Sequence, residues 1–333
     1  MKNNSKNEKI DIVILWVNGN DSKWLEEKNK YLNTTTTGAT VNRFRDCDNM
    51  QYLFRGIEKY APWVNKIFFI TWGHLPNWLN TNNPKLEIVK HEEFIPKEYL
   101  PTFNSNVIEM NLHRIKNLSS KFILFNDDLF ILKDIKPKDF FENNLPKDMY
   151  IEYKKENCSR RHLVLRNNYY EIINKYFSKK KFIKNNLNKV FNYKYGIKNI
   201  KTLKCIKDQH FNDIYSQHLT QPFIKETFNE VWEKEYEKLN SACYNKFRAD
   251  TDIGYALCRY WQMLSGKFIP SKIIGKYFIM KNNNNELISA IKNKKYKIIC
   301  INDADVNIDF EKAKKEINLA LNETLKQKSN FEK

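Results

Sequence analysis

Five short apolar runs, three of which end in asparagine and aspartate, constrain the fold of this chain more than any other feature. They are rich in β-branched and aromatic residues: Asp11–Val17, Lys66–Trp72, Leu86–Val89, Lys121–Phe125 and Lys297–Ile301. Runs of this length and composition predict buried β-strands. The first run is followed by the turn Asn18–Asp21, and the last two continue into Asp127-Asp128 and Asn302-Asp303.

Segments with apolar residues at helical spacing lie between and after these strands. Four helices are predicted: one opened by Asp46 or Asp48 and stopped by Pro62, one opened by Asn104 or Ser105 and reaching Ile115, one over Asp250–Leu264, and one capped by Asp309. In the second helix Glu109 and His113 are four residues apart and should share one face. Strands that alternate with helices predict an α/β fold with a largely parallel sheet.

The absence of an internal repeat or a clear linker favours one composite catalytic domain over residues 1–333. Its predicted parts are an N-terminal α/β part (10–135), a helix-rich basic insertion or cap (140–235) and a C-terminal part that completes the core (240–325). The stretch 172–207 holds eleven lysines and no acidic residue, in a chain of net charge +18. It could attract anionic membrane, a polyanionic glycan or nucleic acid, or it could be an ordinary solvated face.

Several classes of protein have no support in the sequence. The six cysteines are scattered with no C-x-x-C pair, which favours free thiols in a reducing compartment. The polar amino terminus does not resemble a signal peptide, and the apolar runs fall far short of the ~20 residues that span a bilayer. We therefore expect a cytoplasmic protein that contacts the inner face of the cell membrane at most peripherally.

The adjacent carboxylates Asp127 and Asp128 are the most informative local feature. The carboxyl ends of strands in α/β sheets face the binding crevice, and hard cations such as Mg²⁺ or Mn²⁺ prefer oxygen ligands. The alternative is a simple turn, in which Asn and Asp accept local hydrogen bonds. A second strand-end pair, Asn302-Asp303, favours the metal site.

Phosphoryl transfer needs a metal, cations for the phosphate oxygens and a group that takes the nucleophile's proton. Arginines near strand or helix ends that could neutralise phosphate are Arg43, Arg45, Arg55, Arg114 and Arg248. Spacing alone does not choose among the six candidate bases, His74, His91, His113, His162, His210 and His218. The residues by themselves therefore leave the base open.

Seven segments resemble, in chain order, the conserved blocks of the Stealth family. They are DIVILWVNGND (Asp11–Asp21), the long block Arg43–Leu79, LPTFNSNVIEMNLHRI (Leu100–Ile115), KFILFNDDLFI (Lys121–Ile131), QHLTQPFIKE (Gln217–Glu226), FRADTDIGYALCRYW (Phe247–Trp261) and IICINDAD (Ile298–Asp305). That family includes bacterial capsule hexose-phosphate transferases and the catalytic part of the animal lysosomal N-acetylglucosamine phosphotransferase. The segment around His218 matches more loosely than the others.

The resemblance implies a Rossmann-like, glycosyltransferase-A-like sheet flanked by helices, and it implies roles for individual residues. Catalytic roles fall on His218 as general base, on Asp128, and on Arg248 and Arg45. The resemblance makes Asp127, Asp128 and Asp303 the ligands of a bound Mg²⁺ or Mn²⁺ ion. Substrate binding falls on Asn18, Asp21, Arg43, Asp46, Asn104, Glu109, His113 and Asn302.

The implied reaction is attack by an acceptor hydroxyl on the sugar-proximal phosphorus of a nucleotide diphospho-sugar. A nucleoside monophosphate would leave, and a phosphodiester would join the sugar to a glycan or lipid-linked glycan of a surface polysaccharide. The residues alone do not separate this reaction from that of a metal-dependent glycosyltransferase, which releases a nucleoside diphosphate. A nucleic-acid-binding protein is the more distant alternative, and strand-end carboxylates that would repel phosphates without a metal disfavour it.

Overall fold

A computed structural model describes residues 9–32, 44–155, 160–303 and 307–333, with the side chains of 160–162 excluded. Over these residues the strands, in chain order, are β1 (Ile10–Leu15), β2 (Ile67–Thr71), β3 (Leu86–Lys90), β4 (Lys121–Asn126), β5 (Leu129–Ile131), β6 (Phe141–Glu142), β7 (Leu145–Asp148), β8 (Glu152–Tyr153), β9 (Asp213–Ile214), β10 (Gln221–Ile224), β11 (Ile269–Pro270), β12 (Gly275–Ile279) and β13 (Ile298–Asn302). The α-helices are α1 (Ser22–Lys30), α2 (Met50–Tyr60), α3 (Ser105–Met110), α4 (Pro137–Phe140), α5 (Arg160–Tyr176), α6 (Lys179–Asn185), α7 (Leu187–Val190), α8 (Asn199–Cys205), α9 (Lys225–Lys234), α10 (Tyr236–Cys243), α11 (Ala256–Leu264), α12 (Asn285–Lys292) and α13 (Phe310–Thr324).

The central sheet has the strand order β10-β4-β1-β2-β3. All neighbouring strands run parallel except β10, which pairs antiparallel with β4 at one edge. Both faces of β1 are covered, since Ile12 and Ile14 pack into one apolar core and Val13 into the other. A strand buried on both faces is expected in a parallel sheet with helices on either side. The predicted α/β class with a mostly parallel sheet is confirmed.

A second, three-stranded sheet has the order β12-β13-β5. Strand β5 follows β4 after the short turn that contains Asp127 and Asp128, and it pairs antiparallel with β13. Cys300 on β13 is therefore opposite Leu129 on β5, and the backbone N–H of Ile301 donates to the carbonyl of Asp128 (2.8 Å). This pairing carries the end of β13 to the end of β4, although more than 170 residues separate them in the chain.

Two predicted helices differ from the observed ones. The helix opened by Asn104 ends at Met110, and a 3₁₀ turn (Leu112–Arg114) follows, so Glu109 and His113 do not share a helical face. The amide of Asn111 donates to the carbonyl of Val107 (2.8 Å) at the break, a bond of the kind that competes with helix continuation. The helix predicted from Asp250 begins only at Ala256.

Specific side-chain hydrogen bonds explain the late start of α11 and the start of α2. The carboxylate of Asp252 accepts from the backbone N–H of Ala249 and from Asn104, Asn106 and Asn245, which holds the preceding residues in a turn. At α2 the N-cap is Asn49 and makes no side-chain cap bond, whereas Asp46 accepts instead from Trp16 Nε1 (3.1 Å). The predicted caps at Asp46 and Asp48 are therefore wrong, but Asp309 does cap α13.

The middle of the chain is rich in helices, and it also contributes β10 to the central sheet. One of its lysines is buried: Lys179 Nζ donates to Glu152 (2.7 Å) and to the carbonyl of Cys205. The basic stretch is thus partly structural. Every helix within the described ranges is too short or too polar to span a bilayer.

An ion pair between Arg55 on α2 and Glu332 near the carboxyl terminus should stabilise the fold. Arg55 donates to both carboxylate oxygens of Glu332 (2.8 and 2.7 Å), and the two side chains are 9% and 4% exposed. Glu332→Ala leaves a buried guanidinium without its anion, so we expect the free energy of unfolding to fall by about 3 kcal/mol. Urea unfolding measures this change.

The matched control is Glu323→Ala, which removes an ion pair with Lys292 whose side chains are 45% and 48% exposed. Exposed pairs contribute roughly 1 kcal/mol or less. Equal losses for the two variants would contradict a stabilising role of the buried pair.

Candidate active site

The turn between β4 and β5 holds Asp127 and Asp128 at the carboxyl end of the central sheet. Leu15, the last residue of β1, lies in register with Asn126, the last residue of β4. The end of β13 reaches the same place through its pairing with β5. The site is therefore built on the ends of three strands, and the loop before β10 adds His218 to it.

Three side chains contact Asp128, and a fourth contacts the histidine among them. Its Oδ2 atom lies 3.3 Å from His218 Nε2, accepts from the Cys300 thiol (3.1 Å) and accepts from Asn302 Nδ2 (3.3 Å). Asn126 Nδ2 lies 3.1 Å from the same nitrogen of His218. Asp128 thus orients the imidazole and is itself held by β13.

These contacts move the pKa values of both members of the pair. Burial alone would raise the pKa of Asp128, but the hydrogen bond and charge of His218, with those of Cys300 and Asn302, lower it below its usual range. Burial alone would lower the pKa of His218, but the bond to Asp128 and the nearby carboxylates of Glu109 and Asp127 raise it. A carboxylate that holds one ring nitrogen fixes which nitrogen is left for chemistry.

The residues present fit a divalent cation bound through oxygen. Asp128 Oδ1 is buried and has no hydrogen-bond partner among the described residues, and Asp127 is adjacent. The pKa of Asp127 is raised to about 7 by burial and by the charges of Asp128 and Asp46. Carboxylates crowded in this way become stable as anions when a cation lies between them.

Asp128, His218 and Cys300 also offer one ligand atom each within 4.8 Å of one another, over the residues that the structure describes. Burial and the charge of Asp128 raise the pKa of the Cys300 thiol well above its usual range. The sulfur is therefore a protonated donor to Asp128, whereas metals bind the thiolate. The oxygen-rich side of Asp128 suits a hard cation better than this mixed set does.

Arg45 and Asp303 form an ion pair at the edge of the acidic cluster. Arg45 Nη2 lies 2.9 and 2.8 Å from the two carboxylate oxygens of Asp303. Asp46 is fixed by its bond to Trp16 at the end of β1, and its charge acts on Asp127. The structure therefore brings the predicted residues Arg45, Asp46 and Asp303 to the site, whereas Arg43 lies outside the described residues.

On the other side of His218, Glu109 and Arg248 lie close to each other. Glu109 is buried, and burial raises its pKa to about 7, although Arg248 and His218 both act to lower it. Arg248 Nη2 donates to Ser105 Oγ (2.8 Å) at the start of α3. Asn104 is fully buried, caps α3 and donates to Asp252, so it fixes the loop that carries Arg248.

Asn18 and Asp21 lie after β1, beside the histidine that follows β2. The backbone N–H of Asn18 donates to His74 Nε2 (2.8 Å), and Asp21 lies 3.9 Å from His74 Nδ1. Asp21 also caps α1 through the N–H of Trp24. Burial lowers the pKa of His74, although Asp21 acts to raise it.

His113 is not brought to the site. It is buried and packs against Phe228 and Trp232 with ring centroids 6.0 Å apart, and burial lowers its pKa to about 3. The resemblance implied a substrate-binding role for His113 on one helical face with Glu109, and the break after Met110 removes that face.

Sequence reasoning assigned no role to Asn126 or Cys300. Asn126 stands directly before the two aspartates, so its position at a strand end was the available signal. Cys300 lies within an apolar strand, and nothing in its local sequence distinguishes it from a core residue.

A polar cleft begins beside His218. Its walls include both chain neighbours of His218, lysines at the rim and the buried ion pair of Arg259 with Asp148. The residues concerned are Lys147, Asp148, Tyr215, Gln217, Leu219, Arg259, Lys272 and Gly275. The cleft encloses about 630 Å³ where open solvent is included. Arg259 donates to both oxygens of Asp148, while its Nη1 atom has no partner among the described residues.

Family comparisons match two regions of the chain. Residues 8–36 match Stealth protein CR1, conserved region 1, and residues 43–148 match Stealth protein CR2, conserved region 2. A capsular polysaccharide phosphotransferase, WcwK, of Streptococcus pneumoniae is 47% identical over 98% of both chains. A receptor polysaccharide phosphotransferase, WefC, of Streptococcus gordonii is 38% identical over 98% of this chain and 99% of its own.

An exopolysaccharide phosphotransferase, cps2G, of Lactiplantibacillus plantarum is 34% identical over 97% of this chain and 96% of its own. Similarities to solved structures are remote. The bifunctional glycosyltransferase WbbM superposes with a TM-score of 0.39 and 10% identity, over 98% of this chain and 51% of its own. The galactosyltransferase LgtC superposes with a TM-score of 0.40 and 8% identity, over 93% of this chain and 95% of its own.

Proposed function

This chain belongs to the Stealth family, and we propose that it transfers a sugar 1-phosphate from a nucleotide diphospho-sugar to a hydroxyl of a capsular or related surface polysaccharide. It is an enzyme of the polysaccharide phosphotransferase kind, as its relatives across nearly the whole chain are. The donor class, the acceptor and the roles of individual residues are the proposal.

The observation that carries this proposal is the contact between His218 and Asp128 beside a carboxylate cluster. One oxygen of Asp128 holds the imidazole and the other has no protein partner among the described residues. Asp128 thus both orients the proposed base, His218, and offers a free oxygen to the proposed cation. Such an arrangement suits deprotonation of a hydroxyl next to a bound diphosphate.

In the proposed reaction the acceptor hydroxyl attacks the sugar-bound phosphorus, and the bond to the nucleoside monophosphate breaks. Asp128 accepts the Nε2–H of His218, so that Nδ1 is left to take the hydroxyl proton. Arg248 and Arg45 neutralise charge on the transferring group, work that a guanidinium fork suits. Arg45 reaches the phosphate once its ion pair with Asp303 opens.

Asp127 and Asp128 would hold a divalent cation, Mg²⁺ or Mn²⁺. Such a cation supplies charge neutralisation for the diphosphate. Asp303 was predicted as a further ligand, and this role stays a prediction that also requires the pair with Arg45 to open. Glu109 is proposed to orient Arg248 and Asn302 to orient Asp128, while Asn18 and Asp21 would contact the nucleotide.

The polar cleft beside His218 is the proposed position of the acceptor. The cleft continues into a second part, which Lys194 and Lys198 line and which shares Gln217 and Lys272 with the first. Together the two parts are lined by four lysines and Arg259 and by two carboxylates, Asp139 and Asp148. Asp148 is neutralised by Arg259 and Asp139 by Lys297, while Lys147 is itself paired with Glu142, so that Lys194, Lys198 and Lys272 are left. The remaining positive charge suits an acceptor that already carries phosphodiesters.

Lys272→Ala should raise the KM for such an acceptor about fivefold and leave the KM for the donor unchanged, because one screened surface charge near a polyanion contributes about 1 kcal/mol. Steady-state kinetics with each substrate varied in turn measure the two constants. The control is Lys326→Ala, an exposed lysine outside the cleft. An equal change in both KM values would contradict the assignment of the cleft to the acceptor.

The test of the reaction itself is the nucleotide that is released. Purified protein is incubated with Mg²⁺ or Mn²⁺, nucleotide sugars and an oligosaccharide primer, and the products are separated by chromatography. Nucleoside monophosphate together with a phosphodiester in the glycan is the expected result. Nucleoside diphosphate would mean attack at the anomeric carbon, as in an ordinary glycosyltransferase, and would overturn the proposal.

Nucleic acid is not the proposed partner of the basic residues. The carboxylate cluster Asp46, Asp127 and Asp128 would repel a phosphate backbone without a cation. Retention on DNA or RNA that persists at moderate salt would contradict this view, because charge-driven binding falls steeply as salt rises.

A further inference from the structure

Exposed apolar and basic side chains of residues 193–207 form an amphipathic surface on the middle of the chain, here called the 193–207 patch. Its apolar side chains are far more exposed than such residues usually are: Tyr193 is 84%, Ile197 82%, Leu203 56% and Ile200 51% exposed. Exposed single apolar residues are normal, but a cluster of them marks an interaction surface.

The apolar side chains stand on a fixed scaffold. Opposite them, α8 buries Thr202 and Cys205, and Thr202 Oγ1 accepts from the backbone N–H of Glu152 (3.0 Å). Before α8 the backbone bends at Gly196, whose φ of 55° is in the region that favours glycine. Ile197 follows this bend directly, with its side chain exposed.

Lysines surround these apolar groups. Lys201, Lys204 and Lys207 are exposed on the same segment, and the surrounding stretch 172–207 contains no acidic residue. Two further lysines of the patch, Lys194 and Lys198, line the second part of the cleft together with Gln217, the residue before His218. The patch is thus continuous with the proposed acceptor cleft.

We infer that the 193–207 patch binds an anionic lipid membrane. Aliphatic side chains surrounded by lysines suit the interface of a bilayer, where the apolar groups enter the headgroup region and the ammonium groups meet negative lipids. Nucleic acid offers no apolar interior for Ile197 or Leu203. A second copy of the chain docked symmetrically on this patch would set the lysines of one copy against the same lysines of the other.

Membrane binding at the 193–207 patch would also position the acceptor. A membrane under the patch would bring a lipid-linked glycan to the end of the cleft that Lys194 and Lys198 line. This last step rests on the proposed function, whereas the binding of lipid does not.

The test is flotation of the full chain with vesicles of phosphatidylcholine alone or mixed with phosphatidylglycerol. Wild-type protein should float with the anionic vesicles at moderate salt and remain at the bottom with the neutral ones. Ile197→Asp combined with Leu203→Asp should lower the bound fraction by about tenfold or more, because it removes apolar contacts and adds two negative charges beside the lipid. Lys201→Ala with Lys204→Ala should also weaken binding to the anionic vesicles, because two charges that attract the headgroups are lost.

The matched control is Leu319→Asp on α13, an apolar residue that is 58% exposed outside the patch. It should float as the wild type does. Nucleotide release with a soluble primer should be unchanged in the Ile197 and Leu203 variant, which shows that the variant is folded and keeps the proposed function separate from the proposed surface. If the wild type does not bind anionic vesicles, if Leu319→Asp loses as much, or if the patch variant only dissociates a dimer in sedimentation experiments, the inference is overturned.

Discussion

Replacing His218 by glutamine should lower turnover by about 10²-fold to 10⁴-fold, the range that a positioned general base contributes. Glutamine keeps a polar group of similar reach near Asp128 but cannot take a proton from the acceptor hydroxyl. Because the lost interaction acts in the transition state, kcat should fall while the KM for the donor changes little. Single-turnover measurements of nucleoside monophosphate release check this result.

The matched control is His210→Gln. The side chain of His210 is exposed. Among the side-chain contacts of the described structure, this residue takes part only through its backbone carbonyl, which accepts from Lys179 Nζ. Its activity should equal that of the wild type. Near-normal turnover in a folded His218→Gln protein would show that another group takes the proton, and the role of Asp128 as its orienting partner would fail with it.

Asp128→Asn should lower turnover by at least about 10²-fold, because one substitution removes the anion that orients His218 and a ligand of the proposed cation site. The amide can still accept from Cys300 and Asn302, so β5 and β13 should remain paired and the fold should persist. Unlike the change at His218, this change should also weaken binding of the metal. Titration of Mn²⁺ followed by its electron paramagnetic resonance signal measures that binding without any turnover.

The control here is Asp134→Asn, an exposed aspartate a few residues further along the chain. It should change neither turnover nor Mn²⁺ affinity. If Asp128→Asn lost turnover but bound Mn²⁺ as tightly as the wild type, Asp128 would be assigned to the orientation of His218 alone. If neither quantity changed, the site would have to be placed elsewhere.

The apolar runs determined most of the fold by themselves. β1, β2, β3, β4 and β13 lie within two residues of where composition places strands, because strand formation at these positions depends on neighbours in the chain that are apolar and β-branched. The position of Asp127 and Asp128 at a strand end followed from the same local pattern. The start of α11 did not, since the carboxylate of Asp252 holds the preceding turn through partners as distant as Asn104.

Only the tertiary structure decided which polar residues meet. Local sequence treats the histidines alike, yet the fold buries His113 between aromatic rings and carries His218 to Asp128. It also pairs Arg45 with Asp303 across 258 residues. The physical reason is that strand order and register set distances between residues that are remote in the chain, and the strength of a charge–charge contact depends on that distance and on burial. The chain's local chemistry thus determined the strands and the carboxylates at their ends, and the packing of β13 against β5 determined which of those groups form a site.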